Sequence, residues 1–376
     1  MRRLGRARGG PGRAARRPGA RAPRGARGEA PGAAERHLQE AVKVFCSGPF
    51  GPAEELEPLR AAGHQVVVGR PLDDPGRRPW TEDELAEACR DADVVLASHL
   101  ETISARVMER APRLALVIVP FIGVDRIDVA AATRLGVIVA NSPTRENFAS
   151  VAEAAIGLML VLLKRVKHNE AKLRRGEWAT RADRGDFLFG KTVGIVGLGR
   201  IGAHVARRLA GWDVRLIAHD PYASPEAARA LGVALVDLPA LLAEADVVTL
   251  HAVVTEETRG LVDEKALRRM KRTALLVNTA RGELVDEEAV ARALEEGWIA
   301  GAALDAFARE PLPLESPLRR VDPARLILTP HNVGHSEAGR RANLVLALEQ
   351  ILAVGRGELP AHAVNPEAAA AWRRRR

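Results

Sequence analysis

Lys191-Thr192-Val193-Gly194-Ile195-Val196 runs straight into Gly197-Leu198-Gly199-Arg200-Ile201-Gly202. The first six residues read as an apolar strand, and Ile201 to Leu209 as the helix after it. A GxGxxG set in that context is a dinucleotide site. The glycines permit the tight turn and let the backbone approach a pyrophosphate, while the helix N-terminus offers N–H donors and the positive end of its dipole. Asp220 lies 23 residues after Gly197, at the end of the next strand. A carboxylate there accepts hydrogen bonds from the adenosine ribose and repels a 2′-phosphate, which favours NAD over NADP. Arg215 and His219 lie nearby and leave room for some NADP tolerance. The competing reading is a glycine-rich turn that packs without a ligand.

A second glycine string, Gly185 to Thr192, matches GxxxxGK[ST] letter for letter. A phosphate loop of that kind needs a helix after it. Here a strand follows, so the match is read as chance.

Working outward, apolar runs alternate with helical patterns on both sides. Strands are expected at Val42–Phe45, Gln65–Val68, Asp93–Ala97, Leu114–Val119 and Val137–Ala140. A polar loop is expected from Asn141 to Ser150, then one long helix from Val151 to Arg175. A second series follows, with strands at Thr192–Val196, Val214–Ala218, Val247–His251, Ala274–Asn278, Ala300–Leu304 and Leu326–Thr329. A last helix spans Glu337 to Val354. Alternation of this kind predicts α/β architecture with two doubly wound parallel sheets. The chain after the second series is too short for a domain and should return to the first. The expected division is residues 1–40 as an extension, 41–142 as the first part of a substrate domain, 143–333 as a Rossmann NAD-binding domain, and 334–376 as the return and a basic tail.

Three short motifs close the second series: Asn278-Thr279-Ala280-Arg281-Gly282, Asp305-Ala306-Phe307-Ala308-Arg309-Glu310-Pro311 and Thr329-Pro330-His331. Arg281 follows a strand, at the edge where ligands bind in open α/β sheets, and a guanidinium there can grip a carboxylate. Its alternative is a surface ion pair. If Glu310 meets His331, the carboxylate fixes the imidazole tautomer and raises its pKa. A protonated His331 then donates to a keto oxygen, and a neutral one takes a hydroxyl proton. His335 is the rival imidazole. Asp305, after a strand, is a candidate for the nicotinamide amide or for a turn cap. His331 and His335 have HxxxH spacing, but Asn332 stands where a zinc protease has glutamate and Pro330 indicates a loop, so no metal is expected. GxSxG is absent, which disfavours an α/β-hydrolase. His64, His99, His168 and His204 lack a motif and read as structural or exposed.

The net charge of +8 belongs to the chain ends. Residues 1–40 hold 11 Arg against 3 Glu, and Arg373 to Arg376 add four positive charges, so the remainder is net −4. The Arg-, Gly-, Ala- and Pro-rich leader has little to bury and is expected to be disordered. An inert extension is favoured over a polyanion-binding arm or a transit peptide, which leaves non-specific nucleic-acid contact as the arm's only expected partnership. No apolar run approaches the ~20 residues of a membrane span. Two cysteines, Cys46 and Cys89, show no pairing framework, which fits a reducing cytoplasm.

In these motifs the chain closely resembles the D-isomer-specific 2-hydroxyacid dehydrogenase family over roughly residues 42–360. Gly190-Lys191-Thr192, Ser150-Val151-Ala152-Glu153 and Gly176-Glu177-Trp178 match as well. The resemblance implies a flavodoxin-like substrate domain and a homodimer built through the cofactor domain. It implies that Arg281 binds the substrate carboxylate and keto group, and that Glu310 and His331 are the acid/base pair. Gly197, Gly199, Arg200, Ile201 and Gly202 would line the pyrophosphate, Asp220 the ribose and Asp305 the nicotinamide. His251, Thr279, Ala280, Arg281 and His331 would also face the cofactor. Backbone N–H groups of Ile122 and Gly123, in Phe121-Ile122-Gly123-Val124-Asp125, would bind the substrate carboxylate. Three departures bear on substrate identity: Phe121 replaces the usual first glycine of that loop, Val253 replaces a proline after His251, and Asn332-Val333-Gly334-His335 follows His331. No regulatory domain is expected after the last helix. The expected activity is hydride transfer between NAD(H) and a D-2-hydroxy or 2-keto acid. Formate or phosphite oxidation on the same fold, and a non-catalytic NAD-sensing corepressor-like protein, are the alternatives.

Overall fold

Two all-parallel sheets are built from the two alternating series. The computed structural model describes residues 41–48, 50–70 and 78–375; these fall within one unit, Gln39–Arg376. The expectation of disorder over residues 1–40 lies outside the described residues.

The first sheet has strands β1 (Lys43–Cys46), β2 (Gln65–Val68), β3 (Val94–Leu96), β4 (Leu116–Ile118) and β5 (Ile138–Ala140), ordered β2-β1-β3-β4-β5. That order is the flavodoxin-like one. The strands β3, β4 and β5 are fully buried, as short apolar strands covered on both faces must be. One face packs on a cluster that includes Leu344, Leu348, Ile351 and Val354 of the Glu337–Gly355 helix. The chain therefore comes back to the first sheet after completing the second. A further short helix, Ala369–Arg375, follows and buries Trp372 against the same core.

The second sheet contains β6 (Thr192–Val196), β7 (Arg215–His219), β8 (Val233–Leu235), β9 (Val247–Leu250), β10 (Leu275–Asn278), β11 (Gly301–Leu304) and β12 (Leu326–Leu328). Its order is β12-β11-β10-β9-β6-β7-β8. The sequence reading omits β8, in which only Val233 is buried and no long apolar run is present. Strand order reverses between β6 and β9, so a ligand crevice opens at their C-terminal ends.

Two sequence expectations are corrected around the linking helix. Helix begins at Arg145, inside the expected polar loop, because the Thr144 side chain caps it by accepting from Asn147 N–H. It stops at Leu163, and a second helix runs Val166–Arg174, with Arg165 between them at φ 50°. A non-glycine residue in the left-handed region breaks the helical hydrogen-bond ladder. The first of these helices is long and apolar enough to cross a membrane by length and composition. Its Ala152, Ala155, Ile156, Met159 and Leu162 pack with Val193, Ile195, Val205 and Val277 of the second sheet and its helices.

Candidate active site

All seven strands of the second sheet are parallel, so the loops after them emerge at one edge. At the end of β6, Gly197 adopts φ 89°, and a Cβ there would lie 2.7 Å from the Ala252 nitrogen and the His251 carbonyl carbon. Only glycine satisfies both the angle and the approach. Gly202 lies against the Gly197 carbonyl with no room for a Cβ, which draws the helix onto the strand. Gly199 is the N-cap of the Arg200–Leu209 helix, so Arg200 and Ile201 sit in its first turn. Arg200 also lies over the Phe148 ring at 5.5 Å.

At the end of β7, Asp220 accepts Leu198 N–H at 2.8 Å on one carboxylate oxygen and Tyr222 N–H at 2.9 Å on the other. Both bonds aim the carboxylate beside the glycine turn, with lone pairs left for ribose hydroxyls. After β9, His251 Nε2 meets Thr249 Oγ1 at 2.9 Å, while its Nδ1 is buried without a partner. Burial lowers its pKa to about 4, so the ring is neutral at pH 7. Thr279 Oγ1 is likewise buried and unpartnered. Orphan polar atoms just after two neighbouring strands fit a polar ligand that satisfies them, and the set as a whole fits a dinucleotide.

The remaining groups follow β10, β11 and β12, which are consecutive neighbours. Asn278, fully buried, ties the turn after β10: its Nδ2 donates to Arg281 O at 2.8 Å and its Oδ1 accepts Ala280 N–H at 3.0 Å. Arg281 donates from Nη1 to Ala280 O at 2.8 Å and from Nε and Nη2 to Asp125 Oδ2 at 3.1 and 2.9 Å. Gly282 lies against the Phe307 and Ala308 backbone, where any side chain would collide. That close contact brings the Glu310 loop onto the Arg281 turn.

Glu310 and His331 do meet. His331 Nδ1 lies 2.8 Å from Oε1 and 3.0 Å from Oε2. Phe307 N–H donates to Oε1 at 3.0 Å and holds the carboxylate in place. The Glu310 hydrogen bond raises the His331 pKa against the opposing effect of burial. Burial pushes Glu310 up, but the His331 bond and the Phe307 N–H outweigh it and the net shift is downward. Both shifts favour a carboxylate–imidazolium pair. His331 has φ 54°, a conformation that surrounding structure must enforce. Asp305 contributes to this: its Oδ1 accepts Asn332 N–H at 3.0 Å and Val333 N–H at 3.4 Å. Asp305 thus caps the turn that carries His331. His335 is more exposed, and its pKa is lowered by partial desolvation of the ring and by the nearby His331. Among the described residues it has no carboxylate hydrogen bond of the kind Glu310 gives His331.

On the first sheet, Ile122 and Gly123 follow β4, and Asn141 Nδ2 donates to Ile122 O at 2.8 Å. Phe121 lies edge-on to His99 at 6.4 Å, so the bulky ring borders this loop. Two residues escaped the sequence reading. Asp125 pairs with Arg281 from 156 residues away, a separation at which pairing has no sequence signal. Glu287 accepts Ala308 N–H at 2.7 Å and so also holds the Glu310 loop; burial raises its pKa. Lys191 of the chance phosphate-loop string pairs with Asp186 at 2.7 Å, and β6 follows it. Among the described residues no group of three His, Cys, Asp or Glu side chains is arranged to hold a metal ion.

Residues 156–333 match the family profile "D-isomer specific 2-hydroxyacid dehydrogenase, NAD binding domain". A glyoxylate reductase of Korarchaeum cryptofilum is 39% identical over 293 residues, covering 77% of this chain and 87% of the relative. The chain belongs to this dehydrogenase family. Its second sheet is the family's NAD-binding domain. A D-3-phosphoglycerate dehydrogenase of Methanocaldococcus jannaschii is 41% identical over 286 residues, 76% of this chain. The chain spans only 54% of that relative's length. A solved structure from Thermus thermophilus superposes with a TM-score of 0.77 at 34% identity, covering 86% of this chain and 99% of that one.

Proposed function

We propose that this protein is an NAD-dependent D-2-hydroxyacid dehydrogenase, interconverting a 2-keto acid and its D-2-hydroxy acid. The observation that carries this reading is the Glu310–His331 pair at 2.8 Å on the same sheet edge as Arg281. NAD(H), when bound, supplies or accepts the hydride. Gly197, Gly199, Arg200, Ile201 and Gly202 would hold its pyrophosphate, Asp220 its ribose, and His251, Thr279, Ala280 and Asp305 its nicotinamide half.

Arg281 binds the substrate carboxylate and keto group, aided by the N–H groups of Ile122 and Gly123. Protonated His331 donates from Nε2 to the keto oxygen during reduction and recovers a proton from solvent. In the reverse direction neutral His331 takes the hydroxyl proton. Glu310 keeps Nδ1 protonated throughout and stabilises the cation. Oxidation of formate releases no hydroxyl proton, so the Glu310–His331 pair would have no step to perform there.

This reading carries boundaries at residues 41–142, 143–333 and 334–376 and a homodimer formed on the cofactor side. Supporting the dimer, Ile156, Gly157 and Leu160 of the linking helix line an apolar groove with Trp212. Trp178, Phe187 and Phe189, a little further along the chain, are 81, 54 and 65% exposed, and the two phenylalanine ring centroids lie 6.3 Å apart; exposed apolar rings beside an apolar groove are what a subunit contact would cover. The reading also includes a cytoplasmic setting, in which Cys46 and Cys89 stay free; burial pushes both thiols up to about 12. Nucleic-acid contact is confined to non-specific attraction by the basic leader.

Initial rates of NADH oxidation with glyoxylate, hydroxypyruvate, pyruvate, branched 2-keto acids and 3-phosphohydroxypyruvate test the proposal. Turnover of at least one is expected. NADH binding without turnover of any would favour the sensor alternative, and NAD reduction by formate or phosphite alone would favour the other.

A further inference from the structure

We propose that Asp125 is a positioning residue: it holds the Arg281 guanidinium side-on so that the outer end of the fork is presented to the substrate carboxylate. The inference rests on the reading of Arg281 as the carboxylate binder.

A guanidinium carries five N–H groups. In this structure Nε–H and one Nη2–H go to a single oxygen of Asp125, at 3.1 and 2.9 Å, and one Nη1–H goes to Ala280 O at 2.8 Å. Those three bonds leave one N–H on each terminal nitrogen. Two N–H groups on adjacent nitrogens are what a carboxylate needs for paired hydrogen bonds. Asp125 thus occupies the side of the fork and leaves its end free.

The loop is shaped around this contact. A Cβ on Gly123 would fall on Arg281 Nη2 and would lie 2.7 Å from Asp125 Oδ2. The guanidinium therefore rests directly on the Gly123 backbone, beside the N–H groups expected to share the substrate carboxylate. Asp125 comes from the loop after β4 and Arg281 from the turn after β10, so the pair bridges the two sheets.

The pair is poorly suited to a purely structural role. The Asp125 side chain is 63% exposed and that of Arg281 30%, and exposed ion pairs contribute little to stability. Orientation is where such a pair has leverage. Arg281 is a long side chain with many rotamers, and fixing its fork before substrate arrives removes an ordering cost from binding. Misplacement of a substrate-orienting group by about 1 Å can lower rates about 100-fold. Partial desolvation beside the loop would raise the Asp125 pKa, but the Arg281 bonds and charge outweigh it and the net shift is downward. Asp125 therefore stays ionised and paired across the working pH range.

The test is a double-mutant cycle on the full-length protein with its best 2-keto acid and NADH. Asp125→Ala should raise KM for the keto acid and lower kcat/KM about 10- to 100-fold, with NADH affinity and melting temperature unchanged. Asp125→Asn, which keeps an acceptor of the same shape, should recover part of that loss. In an Arg281→Ala background, Asp125→Ala should add nothing, because the group it positions is gone. The proposal is overturned by kcat/KM within twofold of the parent in Asp125→Ala. It is equally overturned by a full additional loss in the Arg281→Ala background, or by losses that track the melting temperature or NADH affinity in both Asp125 variants. If Arg281→Ala by itself leaves KM and kcat unaltered, the underlying reading of Arg281 fails instead.

Discussion

In the proposed reaction His331 and Glu310 are the acid–base pair, and their coupling has a definite sign in pH. Glu310 raises the His331 pKa, and keto-acid reduction needs the protonated ring. Reduction should therefore be complete below that raised pKa and fade as pH rises through it. Glu310→Gln removes the stabilising charge, so the fade should move to lower pH in a kcat/KM profile; an unmoved profile would mean the two groups are not coupled. His331→Ala should lower turnover roughly 10²–10⁴-fold, with NADH binding retained. If His335→Ala does this while His331→Ala does not, the acid is reassigned. Asp220→Ser should shift preference toward NADPH, measured as the ratio of kcat/KM values, because the carboxylate that repels a 2′-phosphate is gone. Glu310 and His331 are legible from their motifs, since each follows a strand at a known edge. Asp125 and Glu287 are not, because each acts through a contact made only once the loops are packed.

At the level of elements, capping chemistry decides where the linking helix begins. Thr144 accepts Asn147 N–H and donates to Asn343 of the Glu337–Gly355 helix. Thr144→Ala should therefore destabilise the fold by about 1 kcal/mol, read as a lower urea midpoint with an unchanged slope. An unaltered midpoint would mean that the cap is replaced by solvent. Polarity alone places this start too late, because Asn141 to Ser150 is mostly polar and contains Pro143. A threonine cap followed by Arg145 and Glu146 carries the opposite information. The break at Arg165, at φ 50°, is illegible for another reason: arginine is a good helix former, and the contacts around the break are made only once the chain folds back, with Arg165 donating to Ala182 O and His168 and Lys172 meeting Asp183. The strands fare better, since buried parallel strands are near-continuous apolar runs. The exception, β8, is an edge strand with one exposed and one half-buried residue.

For the whole molecule, the division of charge is the feature with consequences. Residues 1–36 hold 11 Arg against 2 Glu. A chain starting near His37 should keep its melting temperature and kinetic constants and lose any salt-sensitive affinity for nucleic acid. Loss of folding or turnover would show that the leader packs on the body. The two sheets follow from alternation of strands and helices, but in the sequence the return of the chain to the first sheet rests only on the shortness of what remains. The side-chain contacts of Leu344, Leu348 and Ile351 with that sheet's core give the physical reason for it. The proposed reaction is hydride transfer onto C2 of a 2-keto acid with D stereochemistry. Its most direct test is to supply NADH deuterated at C4 with hydroxypyruvate, then analyse the product by mass spectrometry and chiral chromatography. The expected product is D-glycerate carrying deuterium at C2; an L product, or a D product without deuterium from either face of the labelled cofactor, would overturn the assigned reaction.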